Sequence, residues 1–284
     1  MNETAAPGGH ALARRSFVMT GLITGFTLAT ARAQTPPVHT GSAGLVAGEV
    51  AIRVADGHIP GYRARPLGPG PFPVVLVIEE IFGVHEYIRD ICRRLAHAGY
   101  LAVAPELYAR LGDLGKMTDA QAIMRDVILK APDRAMLSDL DSAASWAADN
   151  HGDPSRLAVM GFCRGGRDTW LYAAHNPHLK AAVAWYGPVT GPTSPIQPET
   201  PLDLAAKLKC PLLGLYGGKD ESIDLADVRA ARDKAAQAGR QVEIVVFPDA
   251  LHGFHADYRP TYRPADAREG WRQALAWLHR HGVG

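Results

Sequence analysis

Long apolar runs are missing from this 284-residue chain, and no stretch reaches the roughly 18–20 residues that a membrane-spanning helix requires. Cysteine is scarce. Cys92, Cys163 and Cys210 are the only three, and none belongs to a C-x-x-C pair, which argues against a structural zinc site or a dithiol redox motif. Charge of one sign is lacking as well: 30 Lys and Arg stand against 29 Asp and Glu, for a formal net charge of +1. The basic residues are scattered, so nothing selects nucleic acid or an anionic membrane as a partner. There is no internal repeat and no low-complexity block. What is present is apolar content: 47% of the residues are hydrophobic, enough to bury a substantial core.

The N-terminus has the layout of a targeting segment. Arg14 and Arg15 precede a mildly apolar run from Val18 to Thr30, broken by Gly21, Thr24 and Gly25. Ala31-Arg32-Ala33 follows, a small-residue cleavage pattern before Gln34. Paired arginines with modest hydrophobicity resemble a twin-arginine signal, which exports proteins already folded. The expectation is a signal peptide over 1–33, a periplasmic or otherwise exported protein, and no stable membrane association once the signal is removed. Export in the folded state would also protect a buried thiol from an oxidising compartment. Residues 34–46, rich in Pro, Gly, Thr and Ser, read as a linker, and 47–284 as one domain.

Within that domain short apolar runs alternate with amphipathic ones. Val50–Val54 reads as an edge strand. Val74–Ile78, Tyr100–Ala104, Leu157–Met160, Ala181–Trp185, Pro211–Tyr216 and Val242–Phe247 read as further strands. Helical spacing covers Tyr87–His97, Ala120–Leu129, Pro132–Ala148, Thr169–Ala174, Leu225–Ala238 and Ala265–His279. Strand–helix alternation of this kind predicts an α/β fold, with a mostly parallel central sheet and helices on both faces.

Gly161-Phe162-Cys163-Arg164-Gly165-Gly166 lies where a buried strand gives way to a helix. It has the form of a nucleophile elbow with Cys in the place of Ser. Glycines flank the turn because side chains there would strike neighbouring backbone. The helix N-terminus favours a thiolate and an oxyanion. An elbow nucleophile needs an acid and then a base further along the chain. Asp220 follows the strand Pro211–Tyr216, and His252 follows Val242–Phe247, so both fall at the C-terminal edge of a parallel sheet, where such sites lie. His252 would take the thiol proton and Asp220 would orient the imidazole. Glu221, Asp224 and Asp249 are alternatives for the acid. His252, His255 and Asp257 also have the residue types of a metal site, but at a spacing that gives it little support. Tyr258, Pro260, Tyr262 and Pro264 form either a roof over the pocket or a surface loop.

Taken together, Glu79-Glu80-Ile81-Phe82-Gly83-Val84, the run Tyr100 to Tyr108, G-F-C-R-G-G at 161–166, Y-G-G-K-D at 216–220 and H-G-F at 252–254 resemble the dienelactone hydrolase family. The resemblance spans nearly everything after residue 47. It implies a single α/β-hydrolase domain with a Cys-Asp-His triad and no metal or organic cofactor. It implies that Glu80 pairs with the resting thiol and helps convert it to thiolate. It also places the oxyanion hole on the backbone N–H groups of Ile81 and Arg164. Family members acting on dienelactone hold the substrate carboxylate with arginines, one of them four residues past the catalytic His. Ala256 occupies that position here, and Arg259 is the nearby candidate for substrate binding. Arg164 is charged where an aliphatic residue is usual. The expected reaction is hydrolysis of a lactone or ester through a thioester. The alternatives are a broader carboxylesterase or thioesterase, and a non-catalytic periplasmic binding protein on the same fold.

Overall fold

Runs of Val, Ile, Leu and Ala with no polar interruption cannot face water on either side, and they become the inner strands of the sheet. In the computed structural model, which describes residues 36–284, the chain forms eight strands and seven α-helices in the order β1 (Leu45–Val54), β2 (Gly57–Pro66), β3 (Phe72–Ile78), α1 (Glu86–His97), β4 (Leu101–Pro105), α2 (Ala120–Asp126), α3 (Asp133–Asp149), β5 (Gly152–Phe162), α4 (Arg164–His175), β6 (Leu179–Trp185), α5 (Pro201–Leu204), β7 (Leu212–Gly217), α6 (Leu225–Gln237), β8 (Val242–Phe247) and α7 (Pro264–Arg280). The strands lie in one sheet, ordered β1-β2-β4-β3-β5-β6-β7-β8. β1 and β2 are antiparallel to each other, β2 is antiparallel to β4, and every later pairing is parallel. This is the α/β-hydrolase fold. Among the described residues no helix is long and apolar enough to cross a membrane.

The predicted strands and helices recur with boundaries shifted by a few residues, the short α5 is an unpredicted addition, and two further differences are of substance. The Ala120–Leu129 helix stops at Asp126 and continues as a short 3-10 turn over Ile128–Lys130. And β2 has no counterpart in the sequence reading. Its residues, GHIPGYRARP, include two prolines and two glycines, which weigh against a strand. Pairing on both sides overrides that composition: Gly61 lies opposite Pro105 of β4 and Val50 of β1. The closest part of β4 is the Ala104 carbonyl, 2.9 Å from where a Cβ on Gly61 would sit, so glycine permits the approach.

The stretch read as a linker also differs. From Leu45 onward it is already β1, and Thr40 and Gly41 are hydrogen-bonded to α1. Residues 1–33, read from the sequence as a signal peptide, lie outside the described residues.

The core runs through the sheet centre. Val74 to Ile78 and Leu101 to Ala104 are at most 1% exposed, and each such Val, Leu or Ile contributes roughly 1.5–3 kcal/mol on burial. This rigid floor fixes the C-terminal strand ends from which the loops at residues 79–85, 163, 218–224 and 248–263 emerge.

Candidate active site

β5 ends at Phe162 and α4 begins at Arg164, so Cys163 alone makes the turn. It adopts φ +54° and ψ −115°, a region that costs a residue with a side chain on the order of 1–3 kcal/mol. The flanking glycines are a steric requirement. A Cβ on Gly161 would lie 2.1 Å from the Gly165 carbonyl oxygen, and one on Gly165 would lie 2.4 Å from the Glu79 carbonyl oxygen. These are backbone atoms that cannot swing aside. Gly161→Ala should therefore destabilise the fold by about 3 kcal/mol or more, read as a shift in the urea midpoint at constant m-value. An unchanged midpoint would mean that the turn is not packed this tightly.

His252 comes from the loop between β8 and α7. Its Nε2 lies 3.1 Å from Cys163 Sγ, and its Nδ1 donates to Asp220 Oδ2 at 2.7 Å. Asp220 sits just past β7, and its other oxygen accepts the Ser222 N–H at 2.9 Å and the Ser222 hydroxyl at 2.6 Å. That hydroxyl is also 3.2 Å from His252 Nδ1. The other acids have different surroundings. Glu221 is exposed, Asp224 caps the N-terminus of α6, and Asp249 pairs with Lys219 on the surface. The structure thus assembles Cys163, His252 and Asp220, all buried, into one hydrogen-bonded line.

Electrostatics within the line are cooperative. Burial alone would lower the proton affinity of His252, but the Asp220 carboxylate, then the Cys163 sulfur, outweigh it and lift the imidazole to about 10. Burial alone would raise Asp220, but the His252 charge and the hydrogen bonds from His252 and Ser222 hold it below the usual carboxylate value. The other thiols are inert by comparison: burial pushes Cys210 up to about 12 and Cys92 higher still.

Glu80 differs from the sequence expectation. It lies in the same loop cluster and is fully buried, but its partners are Arg259, whose Nη2 donates to Oε1 at 2.9 Å, and the Tyr258 hydroxyl, which donates to Oε2. The hydrogen-bond partner of the Cys163 sulfur is His252 instead. A guanidinium offers a buried carboxylate a charge-assisted contact that a sulfur atom cannot match, which accounts for the difference. Arg259 is consequently 1% exposed and engaged by Glu80, with its guanidinium close to the Phe82 and Tyr258 rings. Ala256 is buried and supplies no cation.

The backbone N–H groups of Ile81 and Arg164 donate to no other protein group among the described residues. The Arg164 side chain is held in a buried, charge-balanced cluster. It lies 3.2 Å from Asp168, 3.5 Å from Asp133 and 3.3 Å from Gln197 Oε1, while Arg167 clamps Asp133 with two contacts of 2.9 Å. His255 and Asp257 diverge from His252: His255 Nδ1 meets the Tyr87 hydroxyl at 2.7 Å, and Asp257 meets Arg94 at 2.7 Å. No shared metal position is made there. Tyr258 packs against Phe82 and His85, and its hydroxyl donates to Glu80.

Sequence reasoning missed Ser222, whose spacing of two from Asp220 is that of an Asx-type turn. It also missed Tyr186, which follows β6 at φ +37° and packs edge-on to the His252 ring at 5.2 Å. A groove lined by Arg53, Ser138, Ser142 and Trp146 lies away from these groups. Its Ser142 hydroxyl donates to the Ser138 carbonyl of the same helix.

A family model described as "Dienelactone hydrolase family" matches residues 59–282. The chain belongs to the dienelactone hydrolase family. A provisionally assigned carboxymethylenebutenolidase of Methylorubrum extorquens is 51% identical over 275 residues, covering 96% of this chain and 94% of that protein. One from Escherichia coli K12, also provisionally assigned, is 51% identical over 259 residues, covering 91% and 96%. A crystal structure of a provisionally assigned dienelactone hydrolase from Klebsiella pneumoniae superposes with TM-score 0.81 at 51% identity, covering 83% of this chain and 99% of that one. As a dienelactone hydrolase family member the chain is a hydrolase acting on a small ester or lactone.

Proposed function

We propose that the reaction runs through a thioester on Cys163. The observation that carries this reading is the buried line Cys163 Sγ–His252–Asp220, with contacts of 3.1 and 2.7 Å, at a strained strand-to-helix turn. His252, whose proton affinity is raised, holds the proton of the Cys163–His252 pair, and the sulfur attacks the substrate carbonyl carbon. Negative charge develops on the carbonyl oxygen, and the N–H groups of Ile81 and Arg164 would receive it. The intermediate collapses as the C–O bond breaks, and His252 returns its proton to the leaving oxygen. A water then loses a proton to His252 and attacks the thioester, and the sulfur leaves as the carboxylic acid is released, which restores the sulfur–imidazolium pair. Asp220 keeps the imidazole in the required tautomer and stabilises its cation. Glu80, held by Arg259 and Tyr258, is a second carboxylate in the same loop cluster; in this reading it reinforces the thiolate when substrate disturbs its pairing.

A dienelactone-like lactone is the first candidate substrate. A broader carboxylesterase is favoured by one specific observation: Ala256 offers no cation, and Arg259 is already paired with Glu80. Turnover of a dienelactone and a simple aryl acetate separates the two. Higher kcat/KM for the dienelactone supports the narrow reading, and acetate turnover alone supports the broad one. Hydrolysis of neither would count against both. We further infer export, on the strength of Arg14-Arg15 and the Ala31-Arg32-Ala33 exit. The protein recovered from the periplasm should begin at Gln34, and retention of the full chain in the cytoplasm would contradict this.

A further inference from the structure

The loop that carries His252, Tyr258 and Arg259 is tied to the N-terminal segment through α1. Thr40 lies just before β1 and grips Asp90 of α1 twice, its N–H donating to Oδ1 at 2.5 Å and its hydroxyl to Oδ2 at 3.2 Å. Arg93 Nε donates to the Thr40 carbonyl at 2.6 Å, and His97 Nε2 to that of Gly41 at 2.9 Å. Asp90 is 1% exposed and shares its Oδ2 with Arg94 Nε at 2.5 Å. The far end of the same guanidinium, Nη2, donates to Asp257 Oδ2 at 2.7 Å. Asp257, also 1% exposed, stands two residues before Arg259, which in turn holds Glu80. A second contact between α1 and the loop, Tyr87 to His255, flanks the first.

We propose that residues 38–41 form a strap that positions the catalytic loop, acting through Asp90, Arg94 and Asp257, so that Arg94 and Asp257 are positioning residues for the Glu80–Arg259 pair. The chemistry favours coupling over coincidence. Asp90 and Asp257 are buried carboxylates bridged by one guanidinium; Asp90 also meets Arg93, and Asp257 also accepts the Val38 N–H from the strap itself. Loss of the strap's two donors leaves Asp90 to Arg93 and Arg94 alone. Arg94 is then drawn toward Asp90, and its hold on Asp257 weakens. The loop carrying Arg259 gains freedom, and Glu80 loses its fixed partner. Planar, two-ended guanidinium contact is what makes such a relay directional. The inference rests on the proposed reaction for its catalytic consequence, but not for the coupling itself.

The test uses the full chain carrying Thr40→Pro, which removes the N–H and the hydroxyl together, beside Thr40→Ser, which keeps both, and Asp257→Asn. Amide hydrogen exchange and aryl acetate kinetics are read on each. Thr40→Pro and Asp257→Asn should each raise exchange in residues 253–262 about tenfold, leave β3 and β5 protected, and lower kcat about tenfold with a smaller change in KM. The double variant should be no worse than either single one, and Thr40→Ser should match the unaltered chain. Exchange at 253–262 that is unchanged in Thr40→Pro would overturn the proposal. So would protection lost evenly across the sheet, which would make the segment a general clamp. Exchange needs no substrate, so an unaltered chain that fails to hydrolyse any ester would defeat the proposed reaction while leaving the coupling decided by exchange.

Discussion

Cys163→Ala should lower kcat for a hydrolysed aryl ester by about 10⁴-fold or more, a loss of roughly 5 kcal/mol or more of transition-state stabilisation. Among the described residues neither Ser222 nor the other two thiols is placed to act instead. Ser222 is bonded to Asp220 on the far side of His252, and Cys92 and Cys210 are buried thiols that hold their protons well above neutrality. The methyl group fits the space the sulfur leaves, and the turn keeps its glycines, so the fold should persist with a Tm within a few degrees of the unaltered protein. Stopped-flow or steady-state kinetics with a thermal melt on the same sample measure both quantities. Activity surviving within tenfold would place the nucleophile elsewhere.

Asp220→Asn should reduce kcat by roughly 10³–10⁴-fold, because the amide can present its NH2 to Nδ1 and so favour the wrong imidazole tautomer. It should also move the alkaline limb of the pH profile. With Asp220 ionised, His252 keeps its proton up to about pH 10, so proton delivery to the leaving oxygen should hold to that region. Without the carboxylate, burial dominates and the limb should fall by pH units toward neutrality. Stability follows the same linkage. The raised affinity of His252 contributes stability fully present below its unfolded value near 6.5 and lost as pH rises through about 10. Asp220, held below its ordinary value of 3.8, contributes stability present above that value and lost as pH falls through its folded one. Melting curves at pH 6 and pH 10 should therefore converge for the unaltered chain and Asp220→Asn at the higher pH. An alkaline limb that stays near 10 in the variant would show that Asp220 is not what lifts His252.

The parts legible in the sequence were those governed by local rules. Val74–Ile78 could be read because a strand buried on both faces has no polar positions to confuse its period. Cys163, Asp220 and His252 could be read because each follows a predicted strand, in an order that the elbow demands. β2 was opaque because Pro60 and Gly61 oppose a strand locally and only their neighbours in β1 and β4 overrule them. The pairing of Glu80 with Arg259 spans 179 residues and depends on how the last loop folds back, which no short-range pattern encodes. The same holds for Arg164, whose partners Asp133 and Gln197 arrive from the start of α3 and from a distant loop. Thr40 was read as linker because composition registers its Pro and Gly neighbours but not the carboxylate of Asp90 awaiting it.

The most direct test is to trap the acyl-enzyme. The protein is mixed with a slowly deacylating aryl ester, quenched in acid within milliseconds and digested for peptide mass spectrometry. The account predicts the acyl mass on the peptide holding Cys163, labile to hydroxylamine as a thioester is, and absent from Cys163→Ala. An acyl group on Ser222 or any other side chain, or product formed at the usual rate with no acyl mass on Cys163, would contradict it.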